Sequence, residues 1–386
     1  MVRRRSSILS ILLILGAGAC LDRINIDIGT VVMNTMVING SITNEPGPYQ
    51  VVLSLAFDIE SKESLRNPVT AKRVIISDNT GASEELTETS KGIYVTKADG
   101  IQGTVGRTYM LRVELPDGRV YESNADTLLE SGRIDSLYSV FTEEKALSNN
   151  ATQYGFDVKF NSSITSEQNH YLMWKFTGTF QSTTAPEAKI DEACGQITCT
   201  GCNRCNYKPL CSGLRNVSPF PGIDRAVFVR VGPCECCTCW YNFFNAQPLL
   251  SDDQFAQQGK FATQMAVHIP LDEWMFQYRV HARVSQFTLS RQAFDFWRAI
   301  KDQKTAINSL FQPVTGKIKG NFVQVSGPPV DVEGLFFAAG VASKAMFIDR
   351  TDVPAGIPIP EVAVLFDDSC LKLFPYSTTQ KPDFWE

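Results

Sequence analysis

The sequence predicts a mainly β protein, in which an N-terminal immunoglobulin-like β-sandwich is followed by a second β-rich domain with one prominent helix and a disulfide-stapled insertion. Three observations indicate this class. Short runs in which apolar and polar residues alternate recur along most of the chain, as expected for half-buried strands. Only residues 290–307 show a convincing helical period. Residues 181–240 hold nine of the eleven cysteines, which is typical of a cross-linked loop rather than a packed core.

The first predicted domain covers residues 35–132 and contains several short strands. Its clearest hairpin spans residues 109–123, where the turn Pro116-Asp117-Gly118 separates two alternating runs. A second hairpin is centred on residues 78–81, whose Asp-Asn-Thr-Gly sequence favours a tight turn. About seven short strands with frequent turns and no helical period are typical of an immunoglobulin-like sandwich.

The second predicted domain covers residues 133–386. Residues 155–160 and 170–176 read as paired strands, and further strands are predicted at residues 261–269, 276–284, 317–325, 334–341 and 345–349. The helix at residues 290–307 begins after Ser290, a good N-cap residue. Apolar side chains follow one face of this helix, including Ala293, Trp297 and Ile300. We expect that face to pack against the second sheet rather than to bind a partner.

The amino terminus has the three parts of an export leader. Arg3-Arg4-Arg5 precede an apolar run at residues 8–15, and the small residues Ala17-Gly18-Ala19 precede Cys20. A cysteine directly after such a cleavage site is where bacterial lipoproteins carry their acyl chains. We therefore predict a lipoprotein signal peptide at residues 1–19, lipidation of Cys20 and a linker at residues 20–34. An ordinary secretory signal and a short transmembrane anchor are the alternatives, although the apolar run is short for a bilayer core of about 30 Å.

The net charge of the chain indicates which classes of partner it can bind. The formal net charge is −5, and removal of a leader with three arginines and no acidic residue brings it to −8. Nucleic acids and anionic membrane surfaces both select basic proteins. We therefore expect no nucleic-acid partner, and we expect membrane attachment to depend on the lipid.

Disulfides are the favoured interpretation of the cysteine block. Zinc or an iron–sulfur cluster would also suit Cys199-x-x-Cys202-x-x-Cys205, and the adjacent Cys236-Cys237 pair is open to redox chemistry. An exported chain, however, enters a compartment in which thiols oxidise. The count inside the block is odd, so one cysteine must find its partner outside it, and Cys370 is available. The predicted structural cysteines, with pairing left open, are Cys194, Cys199, Cys202, Cys205, Cys211, Cys234, Cys236, Cys237, Cys239 and Cys370.

No catalytic constellation is recognisable in the sequence. The three histidines, His170, His268 and His281, all lie in strand-like runs, and no nucleophile elbow, zinc-protease helix or phosphate-binding loop is present. We therefore predict no enzymatic activity, no catalytic residues, no metal and no cofactor. A pair of glycosidase carboxylates stays open, because its two members need not be close in sequence. Trp240, next to the cysteine block, is the candidate for ligand contact.

Several segments together resemble one family. They are the leader through Cys20 and residues 37–49, 106–118, 134–138, 236–240, 287–297, 316–321 and 377–385. As a set they resemble the Bacteroidota outer-membrane lipoproteins grouped as domain of unknown function 4249, which are typically encoded beside TonB-dependent receptors.

The resemblance implies a function. It implies a lipid-anchored protein of the outer membrane that faces the cell surface and works with a TonB-dependent receptor or another outer-membrane barrel. The first hypothesis is thus a non-enzymatic accessory or ligand-binding lipoprotein in nutrient uptake. Alternatives are a structural or assembly factor of the envelope for outer-membrane proteins or secretion, and a glycan-directed hydrolase.

Overall fold

The computed structural model of the chain describes residues 35–56, 67–145, 152–164, 171–185, 211, 213–216, 228–245, 247–307, 318–366 and 368–385. In these ranges most of the regular structure is β-strand, with one α-helix and short 3-10 turns. The predicted mainly β fold is confirmed. None of the helices in the described ranges has the length and apolar character needed to cross a membrane.

The strands of the first third of the chain are short. They are β1 (Met36–Thr43), β2 (Gln50–Leu55), β3 (Asn67–Pro68), β4 (Arg73–Asp78), β5 (Ser83–Glu85), β6 (Thr87–Ser90), β7 (Ile93–Val95), β8 (Thr108–Glu114), β9 (Val120–Ser123) and β10 (Asp126–Thr127).

Several later strands are longer. They are β11 (Arg133–Lys145), β12 (Thr152–Ser163), β13 (Tyr171–Thr183), β14 (Leu214–Asn216), β15 (Phe228–Arg230), β16 (Thr238–Phe244), β17 (Leu249–Asp252), β18 (Lys260–Pro270), β19 (Arg279–Leu289), β20 (Phe322–Ser326), β21 (Val332–Asp349) and β22 (Ser377–Thr378). The helix α1 (Arg291–Ile307) lies between β19 and β20.

One large sheet runs through both halves of the protein. Among the described residues its strand order is β22-β16-β13-β19-β21-β1-β2-β7-β6, with β17 beside β13 and β3 beside β2. The long strand β21 joins the halves, because it pairs in parallel with β1 and antiparallel with β19. A second sheet has the order β20-β9-β8-β4-β5, with β10 beside β8, and a third consists of β11-β12-β18. A separate pair is formed by β14 and β15.

The predicted hairpins of the first half are present. Strands β8 and β9 pair antiparallel, and the N–H of Leu115 donates to the oxygen of Arg119 at 2.8 Å to close the turn. Gly118 has a φ of +89° in this turn, a conformation that favours glycine. Alternate residues of β8 are buried, which matches the period-two pattern. Strands β4 and β5 form the second hairpin.

Two of the strand predictions are wrong in detail. Residues 155–160 and the described residues 171–176 do form strands, but β12 and β13 belong to different sheets and do not pair. Their apolar sides face each other instead, as the contact between the rings of Phe160 and Trp174 at 5.7 Å shows. Residues 334–341 and 345–349, predicted as two strands, are one continuous strand, β21.

The first apolar core uses more than the predicted first domain. Phe322, Phe336 and Ala338 are buried together with residues of β1, β2, β4 and β8. They come from β20 and β21, far beyond residue 132, because these strands complete the sheets around that core. The domain limits at residues 35–132 and 133–386 stay predictions, as does the immunoglobulin-like assignment.

The helix lies as predicted. The N–H of Ala293 donates to the hydroxyl oxygen of Ser290 at 3.2 Å, so Ser290 is the N-cap. Ala293, Phe294 and Phe296 are buried against side chains from the large sheet, among them Met173 and Phe337. The apolar face of the helix therefore packs against the sheet.

Candidate functional site

Three disulfides hold the cysteine-rich segment together in the described part of the chain. They join Cys211 to Cys236, Cys234 to Cys237 and Cys239 to Cys370. Six of the ten cysteines predicted to form disulfides are thus paired in the described residues, the neighbours Cys236 and Cys237 have different partners, and Cys370 pairs with the block from outside. Cys20, Cys194, Cys199, Cys202 and Cys205 lie outside the described residues.

The bond from Cys239 to Cys370 fixes the C-terminal tail on β16. Both cysteines are fully buried, and the N–H of Cys370 donates to the backbone oxygen of Cys236 at 3.0 Å. The hydroxyl of Tyr241 donates to the backbone oxygen of Cys370 at 2.5 Å. Burial raises the pKa of this phenol to about 12, so it remains a donor across the physiological range. At Cys370 the tail is therefore held by one covalent bond and two hydrogen bonds, and further along it is held by the pairing of β22 with β16.

A pocket of about 260 Å³ lies beside the anchored tail. Five aromatic side chains line it: Phe180, Tyr241, Phe243, Trp274 and Phe374. Phe180 and Tyr241 are buried, with 3% and 1% of their surface exposed, while the other three are half-buried. The ring of Phe374 stands edge-on to Tyr241 at 4.9 Å and to Trp274 at 6.1 Å. The tail thus supplies one wall of an aromatic pocket.

Asp272 is the only charged side chain among the described residues that line this pocket. Its Oδ1 accepts the backbone N–H groups of Trp274 at 2.8 Å and Met275 at 3.1 Å. These bonds fix the carboxylate at the start of the turn that carries Trp274. Its Oδ2 accepts no hydrogen bond from the described residues. The pocket therefore combines aromatic side chains with one carboxylate oxygen that accepts no hydrogen bond from the residues the structure describes.

Trp240, the residue that the sequence suggested for ligand contact, lies away from this pocket. It precedes Tyr241 on β16, so its side chain points to the opposite face of the sheet. Only 8% of it is exposed, and its ring packs edge-on against Trp385 at 6.5 Å. Its indole N–H is buried and has no hydrogen-bond partner among the residues that the structure describes. Trp240 in this position offers little surface to a ligand.

The histidines that the structure describes have protein partners. His268 contacts Asp157 through Nδ1 at 2.9 Å. Burial would raise the pKa of Asp157, but the hydrogen bonds from His268 and Lys159 outweigh it and lower the pKa. His281 is 6% exposed and stacks on Phe384 at 4.1 Å. His170 lies outside the described residues. Within the described ranges no three His, Cys, Asp or Glu side chains are grouped as metal ligands.

A second depression, of about 890 Å³, follows the exposed side of α1. Its charged lining residues are Arg291, Asp295, Asp302 and Lys319. Asp295 forms ion pairs with Arg291 and Arg298, both at 2.8 Å. This depression is wider and more open than the tail-side pocket, and its charged lining residues carry both signs, so the tail-side pocket is the better-formed site.

Sequence reasoning missed Asp272, Trp274 and Phe374 as lining residues of a pocket. The sequence analysis assigned none of the three a role, and Phe374 lies about 100 residues from Asp272 and Trp274, with no motif to link the two segments. One signal did point to this place, because the predicted bridge from Cys370 to the cysteine block brings the tail, and with it Phe374, to β16.

A protein-family model matches the segment of the chain that contains most of these elements. A family model described as a domain of unknown function, DUF4249, matches residues 22–345. The chain belongs to the DUF4249 family. No curated protein matches the chain. In this DUF4249 protein the matched residues include Tyr241, Asp272 and Trp274, whereas Cys370 and Phe374 lie beyond the match.

Proposed function

We propose that this DUF4249 protein is a non-enzymatic outer-membrane lipoprotein that acts as an accessory or ligand-binding partner of a TonB-dependent receptor in nutrient uptake. In this proposal Cys20 carries the lipid anchor, and the protein faces the cell surface.

The observation that carries the proposal is the buried bond between Cys239 and Cys370 beside the aromatic pocket. Disulfides persist in exported proteins and are rare in reducing compartments. Three of them in the described part of the chain agree with a leader that ends in Ala17-Gly18-Ala19-Cys20. Together they support export of the chain and its attachment through Cys20.

The pocket supports a binding role. Ligand sites are concave, mostly apolar and largely formed before the ligand arrives, with few polar groups. The tail-side pocket has these properties, because its aromatic walls contact one another and the disulfide fixes the tail. Association with a TonB-dependent receptor rests on the resemblance of the sequence to lipoproteins encoded beside such receptors.

Co-purification tests this function. A peptide tag inserted after Gly81, in an exposed turn, leaves the buried C-terminal Trp385 undisturbed. Cells that express the tagged lipoprotein are cross-linked, the outer membrane is solubilised in maltoside detergent, and captured proteins are identified by mass spectrometry. An unrelated lipid-anchored protein with the same tag is the control. We expect specific enrichment of a TonB-dependent receptor. Enrichment of an assembly barrel instead would favour the envelope-assembly alternative, and no enriched barrel would contradict the proposal.

A further inference from the structure

We propose that the pocket lined by Phe180, Tyr241, Phe243, Trp274 and Phe374 binds an alkylammonium group, with Asp272 as its counter-ion. This inference rests on the proposed ligand-binding role and adds the chemical class of the ligand.

The aromatic lining provides the first argument. Aromatic faces attract cations, and cages of several rings recognise quaternary ammonium groups. Here three half-buried rings, Phe243, Trp274 and Phe374, line the pocket together with the buried rings of Phe180 and Tyr241. Met275 and the prolines Pro270 and Pro375 complete the lining. A methylated ammonium group would contact ring faces and apolar side chains on most sides.

The carboxylate provides the second argument. An apolar ligand gains nothing from a fixed anion in its pocket, because covering the carboxylate with apolar groups removes water from its charge, which costs free energy. A cation would compensate that cost by pairing with Oδ2 of Asp272, which accepts no hydrogen bond from the described residues. Since Oδ1 already holds two backbone N–H groups, the carboxylate needs no rearrangement to bind.

The size of the pocket provides the third argument. Pockets for drug-sized ligands have volumes of about 300–1,000 Å³, and this pocket, at about 260 Å³, lies just below that range. It therefore suits a small head group, with any longer part of the ligand extending into solvent. The negative net charge, −5 for the full sequence and −8 without the predicted leader, also favours the approach of a cation.

Choline and its uncharged isostere 3,3-dimethyl-1-butanol test this inference, because they share a shape and differ in charge. Binding to the full-length lipoprotein in maltoside detergent is measured by saturation-transfer NMR titration. We expect choline to bind at least tenfold more tightly than the alcohol. Equal affinity for the two compounds, or no transfer to either, would overturn the proposal.

Substitutions in the pocket test whether choline binds there. Asp272→Asn keeps an oxygen for the N–H groups of Trp274 and Met275 but removes the charge, so choline affinity should fall at least fivefold while the alcohol is unaffected. Trp274→Leu should weaken choline binding by a similar factor. Asp295→Asn, on α1, removes a carboxylate that does not line the pocket, so it is the matched control and should bind choline normally. Choline affinity unchanged in both pocket variants would also overturn the proposal.

Failure of this inference can be distinguished from failure of the proposed function. Choline binding is measured on the purified protein and does not depend on a receptor. Loss of receptor co-purification with charge-selective choline binding intact would contradict the receptor partnership alone.

Discussion

The phenol of Tyr241 donates a hydrogen bond to the backbone oxygen of Cys370, the residue whose side chain is bonded to Cys239. Since Cys239 and Tyr241 are next-nearest neighbours on β16, a covalent bond and a hydrogen bond fix the same point of the tail to the same strand. This point lies four residues before Phe374, which forms a wall of the pocket. The order of the pocket therefore depends on the attachment of the tail.

Removal of this disulfide should destabilise the protein and open the pocket. The bond closes a separation of 131 residues, for which loop-closure entropy gives a stabilisation of about 5 kcal/mol. The bond between Cys234 and Cys237 closes a separation of 3 residues, which gives about 2 kcal/mol. We expect the double variant Cys239→Ser/Cys370→Ser to lose more stability on denaturation than Cys234→Ser/Cys237→Ser. Equal losses would show that the tail is held without this bond.

Alanine at Gly334 should disrupt the pairing of β21 with β1. Gly334 has a φ of +105°, and an added Cβ would lie 2.0 Å from the backbone oxygen of Ile38. We expect Gly334→Ala to cost more than about 4 kcal/mol or to prevent folding. Gly356→Ala is the control, because its φ of +89° is similar but its Cβ would meet nothing within 4 Å. The control should lose only about 1 kcal/mol in urea denaturation, and similar losses in the two variants would refute the steric explanation.

Replacement of Gln286 should destabilise the protein more than replacement of Gln324. The reason is that Gln286 is buried, although its side chain makes fewer hydrogen bonds. It is fully buried, accepts the indole N–H of Trp174 at 2.8 Å and donates to the oxygen of Ser163 at 3.2 Å. Gln286→Leu would leave both partners unsatisfied, at a cost of about 2–4 kcal/mol. Gln324 makes three hydrogen bonds near the surface, where water can replace them. Gln324→Leu should therefore cost less than about 1 kcal/mol, and the reverse ranking would contradict this account.

Acid should destabilise the fold through His281. Burial, together with the positive charges of Arg283 and Arg279, lowers the pKa of His281 to about 4. The unfolded chain, with a histidine pKa of about 6.5, binds more protons between these values. The stabilisation by the neutral ring is therefore complete above about pH 6.5 and is lost as the pH falls toward 4.

The His281→Gln variant isolates this contribution from the acidic groups that titrate nearby. Its stability should depend less on pH between 6.5 and 4 than that of the parent protein. NMR of the imidazole gives an independent measurement, and titration of His281 near pH 6.5 in the folded protein would be inconsistent with its burial against Phe384.

Local patterns made much of the fold predictable. The turn at Pro116-Asp117-Gly118, the alternation along β8 and the Ser290 cap each depend on residues close in sequence, and each is present in the structure. The odd number of cysteines in residues 181–240 also predicted a contact between distant segments, since it indicated that one of these cysteines pairs with Cys370.

Contacts between distant segments were not predictable in the same way. Strands β12 and β13 follow each other along the chain, and only the three-dimensional arrangement shows that they lie in opposite sheets. Likewise, β20 and β21 complete a core whose first residues lie almost 300 positions earlier in the chain. No local sequence pattern indicates that these distant strands pack together. The pocket escaped prediction for the same reason, because Phe180, Asp272 and Phe374 come from three separate segments.

The state of Cys20 is the most direct test of the central claim, that this chain is a lipid-anchored protein of an oxidising compartment. The protein is purified from its native membrane, and its N-terminal peptide is analysed by mass spectrometry. We expect the peptide to begin at Cys20 and to carry acyl chains on that residue. A peptide that begins elsewhere, or a Cys20 without acyl chains, would contradict the account.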